Sequence, residues 1–257
     1  MLLQERLDYI LDTLKREGSV RAAEIVEKCD VSMETVRRDL CMLEKQGKLR
    51  RVHGGAMPKR TPNAGFKVRS VENTAEKRGA AQAACDLIHD GSIIALDSGT
   101  TTLEMAKILS VSDLSLTVLT NSVATYSILS ENPHIRTVLT GGEYNCVEEA
   151  LWGAMAESNI RSMHVDIAFI CPSYVSENFG LTEPYNETVQ VQRAYLSVSD
   201  RAVIVADSSK FDQAALYKLV PLEKGMLIAT DAALTAQQRA RYEKLGIEFV
   251  IGEKEDV

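Results

Sequence analysis

Two groups of polar residues stand out for the chemistry that their types and spacing could support. The first is Ser32, Glu34, Thr35, Arg37 and Arg38, followed along the chain by Arg50, Arg51, His53 and Gly54. Guanidinium groups donate in a fixed fork to base edges or phosphate oxygens, and small hydroxyls or carboxylates beside them read what remains. The second is Asp97-Ser98-Gly99-Thr100-Thr101-Thr102, with Asn121, Gly141, Gly142 and Lys210 farther along. A hydroxyl-rich turn with a glycine, set between a strand and a helix, offers an anion free N–H groups and the positive end of the helix dipole.

The first group works as a unit only if a helix holds it, and the apolar spacing supplies one. Val36, Leu40 and Leu43 fall on one side of a helical wheel, at about 0°, 40° and −20° with roughly 100° per residue. Arg38 then lies near 200°, almost opposite, with Glu34 at about 160°, Thr35 at about 260° and Arg37 at about 100°. Ser32 stands where a cap is needed, and the N–H groups it leaves nearby suit a phosphate. Two earlier helices are expected: one carrying Leu3, Leu7, Ile10, Leu11 and Leu14 and stopping at Gly18, the other from about Arg21 to Cys29. The third should end near Gly47. Leu49–Val52 reads as a strand, and Gly54-Gly55 lets the chain turn back into a wing bearing Arg50, Arg51 and His53. The pattern is that of a helix-turn-helix with its last helix in the major groove of duplex DNA. A three-helix protein-interaction module with surface arginines would show the same spacing.

Charge separates the two ends of the chain. Residues 1–60 hold 13 Lys/Arg against 10 Asp/Glu, whereas residues 61–257 hold 16 against 26. A basic end on an acidic body suits a polyanion met by one part only. No run approaches the roughly 20 apolar residues of a membrane span. Glu5 and Asp8 interrupt any basic-then-apolar leader, and the five cysteines are scattered, so a reducing cytoplasm is expected. No cofactor or metal is expected either, since His53, His89, His134 and His164 lack ligand spacing.

The rest of the chain alternates helical segments with short apolar runs. These are Ile93–Leu96, Leu116–Leu119, Thr137–Leu139, Ile167–Ile170, Ala202–Ala206, Met226–Ala229 and Glu248–Ile251. Such alternation predicts a mostly parallel α/β sheet covered on both faces. Domains are therefore expected at 1–57 (winged helix-turn-helix) and 76–257 (α/β, effector-sensing), with a Pro- and Gly-containing linker at 58–75. In an open α/β sheet the loops after the strands converge on one crevice. Asp97–Thr102, Asn121, Gly141, Gly142 and Lys210 would meet there around a small molecule, although each has a local reading as a cap, a turn or a solvated charge.

Taken together, Val31-Ser32-x-x-Thr35-Val36-Arg37-Arg38-Asp39-Leu40, Leu43-Glu44-x-x-Gly47-x-Leu49 and Arg51-x-His53-Gly54-Gly55-Ala56 resemble the N-terminal signature of the DeoR family of bacterial regulators. The likeness continues through Phe66-x-x-Arg69-x-x-x-Asn73-x-x-x-Lys77, the Asp97–Thr102 turn, Thr140-Gly141-Gly142 and Asp207–Phe211. It implies a winged helix, a sensor domain like ribose-5-phosphate isomerase, a homo-oligomer (dimer or tetramer), an operator as partner, and repression relieved by a phosphorylated metabolite such as a sugar or sugar-acid phosphate. Two departures bear on the effector. Cys171-Pro172-Ser173 replaces a family loop that carries an acid, and Asn145 stands where a basic residue is common. An isomerase-like enzyme is the alternative on the same fold, but it leaves the first sixty residues without a task, and apart from Asp97 in the anion turn and Asp207 near Lys210 the expected loops carry no acid. An interaction scaffold is opposed by the basic wing.

Overall fold

The computed structural model describes residues 2–17, 20–46, 48–52, 54–58 and 65–253, apart from the side chains of residues 15–17, 50, 52, 57 and 58. His53, Gly18 and Gly47 lie outside the described residues, as does the side chain of Arg50. The chain divides into two compact units, Met1–Ala64 and Gly65–Val257.

The first unit runs α1 (Leu3–Glu17), β1 (Val20–Arg21), α2 (Ala22–Cys29), α3 (Met33–Lys45), β2 (Leu49–Val52) and β3 (Gly55–Pro58). Leu7, Ile10 and Leu14 of α1, Ile25 of α2, and Val36, Leu40 and Leu43 of α3 bury their side chains in one cluster with Leu49 and Ala56. The helical spacing of these aliphatics selects which face of each helix turns inward. β2 and β3 form an antiparallel hairpin, and β1 adds to β3 to give a three-stranded sheet. Gly55 is required there, because a Cβ would fall 2.1 Å from the Val20 carbonyl oxygen.

In the second unit the expected parallel sheet forms in full. Its elements are α4 (Phe66–Arg69), α5 (Thr74–Cys85), β4 (Ile93–Leu96), α6 (Thr100–Ser110), β5 (Leu116–Thr120), α7 (Val123–Leu129), β6 (Ile135–Leu139), β7 (Glu143–Asn145), β8 (Ala150–Trp152), α8 (Ala154–Arg161), β9 (Val165–Ile170), β10 (Tyr174–Ser176), β11 (Gly180–Glu183), α9 (Asn186–Val198), β12 (Ser199–Val205), β13 (Tyr217–Val220), β14 (Leu227–Thr230), α10 (Ala236–Glu243) and β15 (Glu248–Ile251). Seven strands run parallel in the order β15-β14-β12-β9-β4-β5-β6. Alternate residues serve opposite faces, as a pleated strand dictates. Ile94 and Leu96 pack with Met105 and Leu109 of α6 and the alanines of α5. Ala95 faces the other core, with Ile160 of α8, Tyr195 of α9 and Tyr242 of α10.

The chain order within this sheet places a crevice. From β4 the chain steps outward through β5 to β6, then returns to the far side of β4 and steps the other way through β9, β12, β14 and β15. The strand order therefore reverses between β4 and β9, where loops leaving the strand ends diverge and leave room for a ligand. The linker expected over 58–75 overlaps this unit from Gly65 onward. Phe66 is buried, its N–H donates to the Val147 carbonyl at 2.8 Å, and α4 follows at once, so packing replaces the helix-breaking signal of Pro58 and Pro62. Residues 59–64 lie outside the description. Among the described residues no helix is long and apolar enough to cross a membrane.

Candidate functional site

The helix α3 is fixed at both ends by its own sequence. Asp30 adopts a left-handed backbone (φ +50°) that closes α2, and its N–H donates to the Val26 carbonyl. Two residues on, Ser32 caps α3: the Thr35 N–H donates to Ser32 Oγ at 3.2 Å, and the two hydroxyls lie 2.9 Å apart. Those hydroxyls are thus partly engaged with each other. Glu34, Arg37 and Arg38 are exposed, and neither arginine makes a hydrogen bond or ion pair among the described residues. The arrangement leaves two undirected guanidinium groups on the outer side of a helix whose inner side is buried.

Asp39, next along the helix, does the reverse. It is buried, and it takes the Arg6 guanidinium of α1 in a two-point pair at 2.5 and 3.2 Å. This pair locks α1 to α3 and sets the azimuth at which Arg38 projects. Arg51 is exposed as expected, yet its guanidinium donates to Glu44 Oε2 at 2.7 Å and its N–H to Glu44 Oε1 at 2.9 Å. It ties the wing strand β2 to the end of α3 rather than standing free. Gly54 has φ +84° at the hairpin turn, a conformation that costs glycine nothing.

In the second unit the Asp97 turn stands at the β4–β9 reversal. It lines a cleft with about 430 Å³ of atom-free space including its mouth. Of the residues expected there, Asp97, Ser98, Gly99, Thr100 and Lys210 line it. The helix begins at Thr100, so the threonines form its first turn. Thr101 and Thr102 are buried, and Thr102 Oγ1 accepts from the Gly99 N–H at 2.9 Å and donates to the Asp97 carbonyl at 2.6 Å. Thr102 is therefore a cap. Asn121 sits behind the turn, where its Nδ2 donates to Ser98 Oγ (3.1 Å) and the Leu151 carbonyl (3.0 Å) while Tyr195 donates to its Oδ1 at 3.3 Å. It holds Ser98 from below. Gly141 and Gly142 do not line the cleft; a Cβ on Gly142 would lie 2.6 Å from the Trp152 carbonyl, so that glycine serves the packing of β8 and α8.

The fold also supplies what the two sequence departures seemed to remove. No acid occurs in Cys171–Ser176, but β10 and β11 pair as a hairpin and carry Glu183 back over Ser173. Ser173 donates to it from its N–H (3.0 Å) and its hydroxyl (2.6 Å). Asn145 is not basic, but its Oδ1 accepts from the Val147 and Glu148 N–H groups at 2.9 Å each and so presents Glu148. Arg69, from α4, meets Glu148 through two bonds of 3.1 and 2.6 Å and lines the cleft. Lys77 is buried and fastens the end of α4, its Nζ donating to the Arg69 and Glu72 carbonyls. Only the Phe66-x-x-Arg69 spacing signalled any of this in the sequence.

Gln192 of α9 joins the acids, its Nε2 donating to Asp97 Oδ2 and to Glu183 Oε1 at 2.8 Å each. Asp97 also accepts from the N–H groups of Ser98 (2.7 Å) and Cys171 (3.1 Å). Burial pushes the Asp97 carboxyl up to about 6 and that of Glu183 up to about 7, against the opposing pull of these donors. Folding therefore favours the protonated forms, and the stability these two groups confer falls as pH rises from the ordinary carboxylate range through about 6 to 7. Chemical denaturation is expected to show the wild-type chain losing stability between pH 5 and pH 7.5 relative to Glu183→Gln. A difference that is flat across that window contradicts the assignment.

The sheet also gathers three potential ligands that their sequence spacing did not suggest. Ligand atoms of His164, Asp166 and Asp200 lie within 4.8 Å of one another, with His164 Nε2 bonded to Asp200 at 2.9 Å and Asp166 Oδ2 accepting from the Ile93 N–H at 2.7 Å. The group stands at the opposite strand ends from the cleft, with His164 paired to Asp200 and Asp166 engaged by the start of β4.

Against family models, residues 6–60 match the DeoR-like helix-turn-helix domain and residues 72–232 match the DeoR C terminal sensor domain. The chain belongs to the DeoR family. Its relatives include the L-fucose operon activator of Haemophilus influenzae, 32% identical over 89% of this chain and 92% of that one. The lactose phosphotransferase system repressor of Lactococcus lactis is 35% identical over 82% and 84% of the two chains, and the repressor GlcR of Bacillus subtilis 31% over 100% and 99%. A ribose 5-phosphate isomerase A structure from Methanocaldococcus jannaschii aligns over 55% of each chain at 19% identity, with a TM-score of 0.41. This DeoR-family chain is thus a DNA-binding transcriptional regulator with a sensor domain for a small-molecule effector, and the family's members are regulators rather than enzymes.

Proposed function

We propose that this DeoR-family regulator represses an operon of sugar or sugar-acid metabolism, working as a homo-oligomer released from its operator by a small phosphorylated metabolite. The observation that carries the DNA half is the exposed, unpaired placement of Arg37 and Arg38 on α3, Arg38 opposite Val36, Leu40 and Leu43 and Arg37 to their side. A recognition helix needs one face locked to its own domain and the other free for base edges. Ser32, Glu34 and Thr35 stand at the helix start, Arg51 and Gly54 belong to the wing, and Arg50 and His53 complete the proposed contact set. A two-fold dimer follows from paired half-sites one helical turn apart.

For the effector, the first turn of α6 supplies the Thr100 N–H and the positive helix end, Ser98 and Gly99 line the seat with their own N–H groups turned to Asp97 and Thr102, and Lys210 adds a cation. A phosphate or carboxylate on a sugar-sized compound is the chemistry such a seat suits. The departure at Cys171-Pro172-Ser173 leaves the body of the effector to be read by other groups.

Arg38→Ala is expected to weaken operator binding by about 1–3 kcal/mol and to relax base preference at one position of each half-site. The measurement is a titration of the duplex that the wild-type protein selects from a random library. Unchanged affinity and base preference would remove α3 from the groove.

A further inference from the structure

The charges lining the cleft do not balance. Three acids line it, Asp97, Glu148 and Glu183, against two bases, Arg69 and Lys210. Glu148 already holds Arg69. Asp97 and Glu183 are 1% and 2% exposed, and among the described residues no hydrogen bond or ion pair joins either to a lysine or arginine, Arg69 acting on Glu183 only through its longer-range field. What joins them is a neutral group: the single Nε2 of Gln192, 2.8 Å from each carboxylate. The other end of that amide, Gln192 Oε1, is buried with no hydrogen-bond partner, although Gln192 lines the cleft and is 0% exposed.

Around Gln192 the cleft therefore gathers acceptors with no cation in contact, two carboxylates and an orphaned amide oxygen, and the Asp97 turn leads from them to the donors at the start of α6. An unpaired buried acceptor costs free energy, and so does a buried carboxylate without a counter-charge. Burial answers in part by raising both acids. A phosphorylated sugar bearing only hydroxyls could satisfy Gln192 Oε1, but its phosphate would add negative charge to a cleft that already has an excess of acids. An ammonium group carries three donors and a compensating charge, which matches a corner of three acceptors.

We infer that the effector is an amine-bearing phosphorylated compound of sugar size, its ammonium held by Asp97, Glu183 and Gln192 Oε1 and its phosphate at the start of α6 beside Lys210. This rests on reading the cleft as the effector site, and it adds the chemical class of the effector.

The test compares compounds that differ only in an amine for a hydroxyl. Calorimetric titration of the full chain at pH 7.5 uses glucosamine 6-phosphate against glucose 6-phosphate and galactosamine 6-phosphate against galactose 6-phosphate, with inorganic phosphate as a third arm. The amine form of at least one pair is expected to bind about tenfold tighter than its hydroxyl partner. Glu183→Gln should close that difference to within about threefold while the hydroxyl sugar phosphate binds at least as well as before, and Asp97→Asn gives an independent check should the first variant fold poorly. Phosphate or hydroxyl sugar phosphates bound with no gain from the amine in either pair would overturn this inference and leave the anion seat standing. Failure of every compound, inorganic phosphate included, would overturn the anion seat and this inference with it.

Discussion

Replacing Asp39 by alanine is expected to destabilise the N-terminal unit by about 3–5 kcal/mol and to abolish operator binding, although Asp39 itself is buried, away from the exposed face of α3. The substitution leaves the Arg6 guanidinium buried, with its two-point partner at 2.5 and 3.2 Å removed. A buried charge that loses its two-point counter-ion is left with a desolvation cost that the pair had offset. A small domain holds only a few kcal/mol in reserve, so a loss of this size leaves much of the unit open at any moment. Hydrogen exchange of the α1 and α3 amides in the full chain reports it directly, with protection falling by roughly two to four powers of ten. The double substitution Arg6→Met with Asp39→Leu removes both charges and should regain most of that protection. Wild-type protection in Asp39→Ala would show that the pair is not what orients α3.

The second large effect lies in the cleft at the Asp97 turn. A Cβ on Gly99 would fall 2.3 Å from Cys171 Sγ and 2.4 Å from Cys171 Cβ, closer than real atoms approach. Gly99→Ala must push the Asp97 turn away from β9, which strains the Cys171 N–H bond to Asp97 and displaces the N–H groups of Ser98 and Thr100. Overpacking of this kind costs about 1–3 kcal/mol, and the upper end is expected where both partners are short side chains against the main chain. The thermal shift given by phosphate compounds should disappear while operator binding persists. Cys171→Gly removes both clashing atoms, so combining it with Gly99→Ala should restore folding stability and ligand response together. A single variant as stable and as responsive as wild type would mean that the turn does not depend on this close approach.

Much of the scaffold could be read from local pattern. Val36, Leu40 and Leu43 defined the buried side of α3 and so placed Arg38 outside it. The runs Ile93–Leu96 and Glu248–Ile251 form strands with those same bounds because short β-branched and apolar stretches between turn signals leave few other options, and Leu49–Val52 does so because Gly54-Gly55 turns the chain back after it. The chemistry of the cleft was less accessible. Asp97, Ser98, Gly99 and Thr100 are consecutive and announce a turn, but Glu183 and Gln192 reach it through β11 and α9, far along the chain. β10, β11 and β13 are three or four residues long and partly polar, below what periodicity can detect. The Arg6–Asp39 pair was hidden for a similar reason, since a charge on a buried helix face looks like a solvated one until its partner is placed. Asn121 and Gly142 show the converse: residues that suit a ligand in type were needed by the fold to support Ser98 and to seat β8 against α8.

The central claim is that an exposed basic helix face meets the phosphate backbone and base edges of a duplex. Its most direct test is the salt dependence of operator affinity for the full chain, measured from about 50 to 300 mM KCl. Each phosphate contacted releases counter-ions, so the log–log slope should be steep, near −0.9 per contact, and shallower by about one unit when Arg37 is replaced by alanine if that side chain meets a phosphate. A flat response, or one identical for wild type and for a variant lacking both Arg37 and Arg38, would contradict the account.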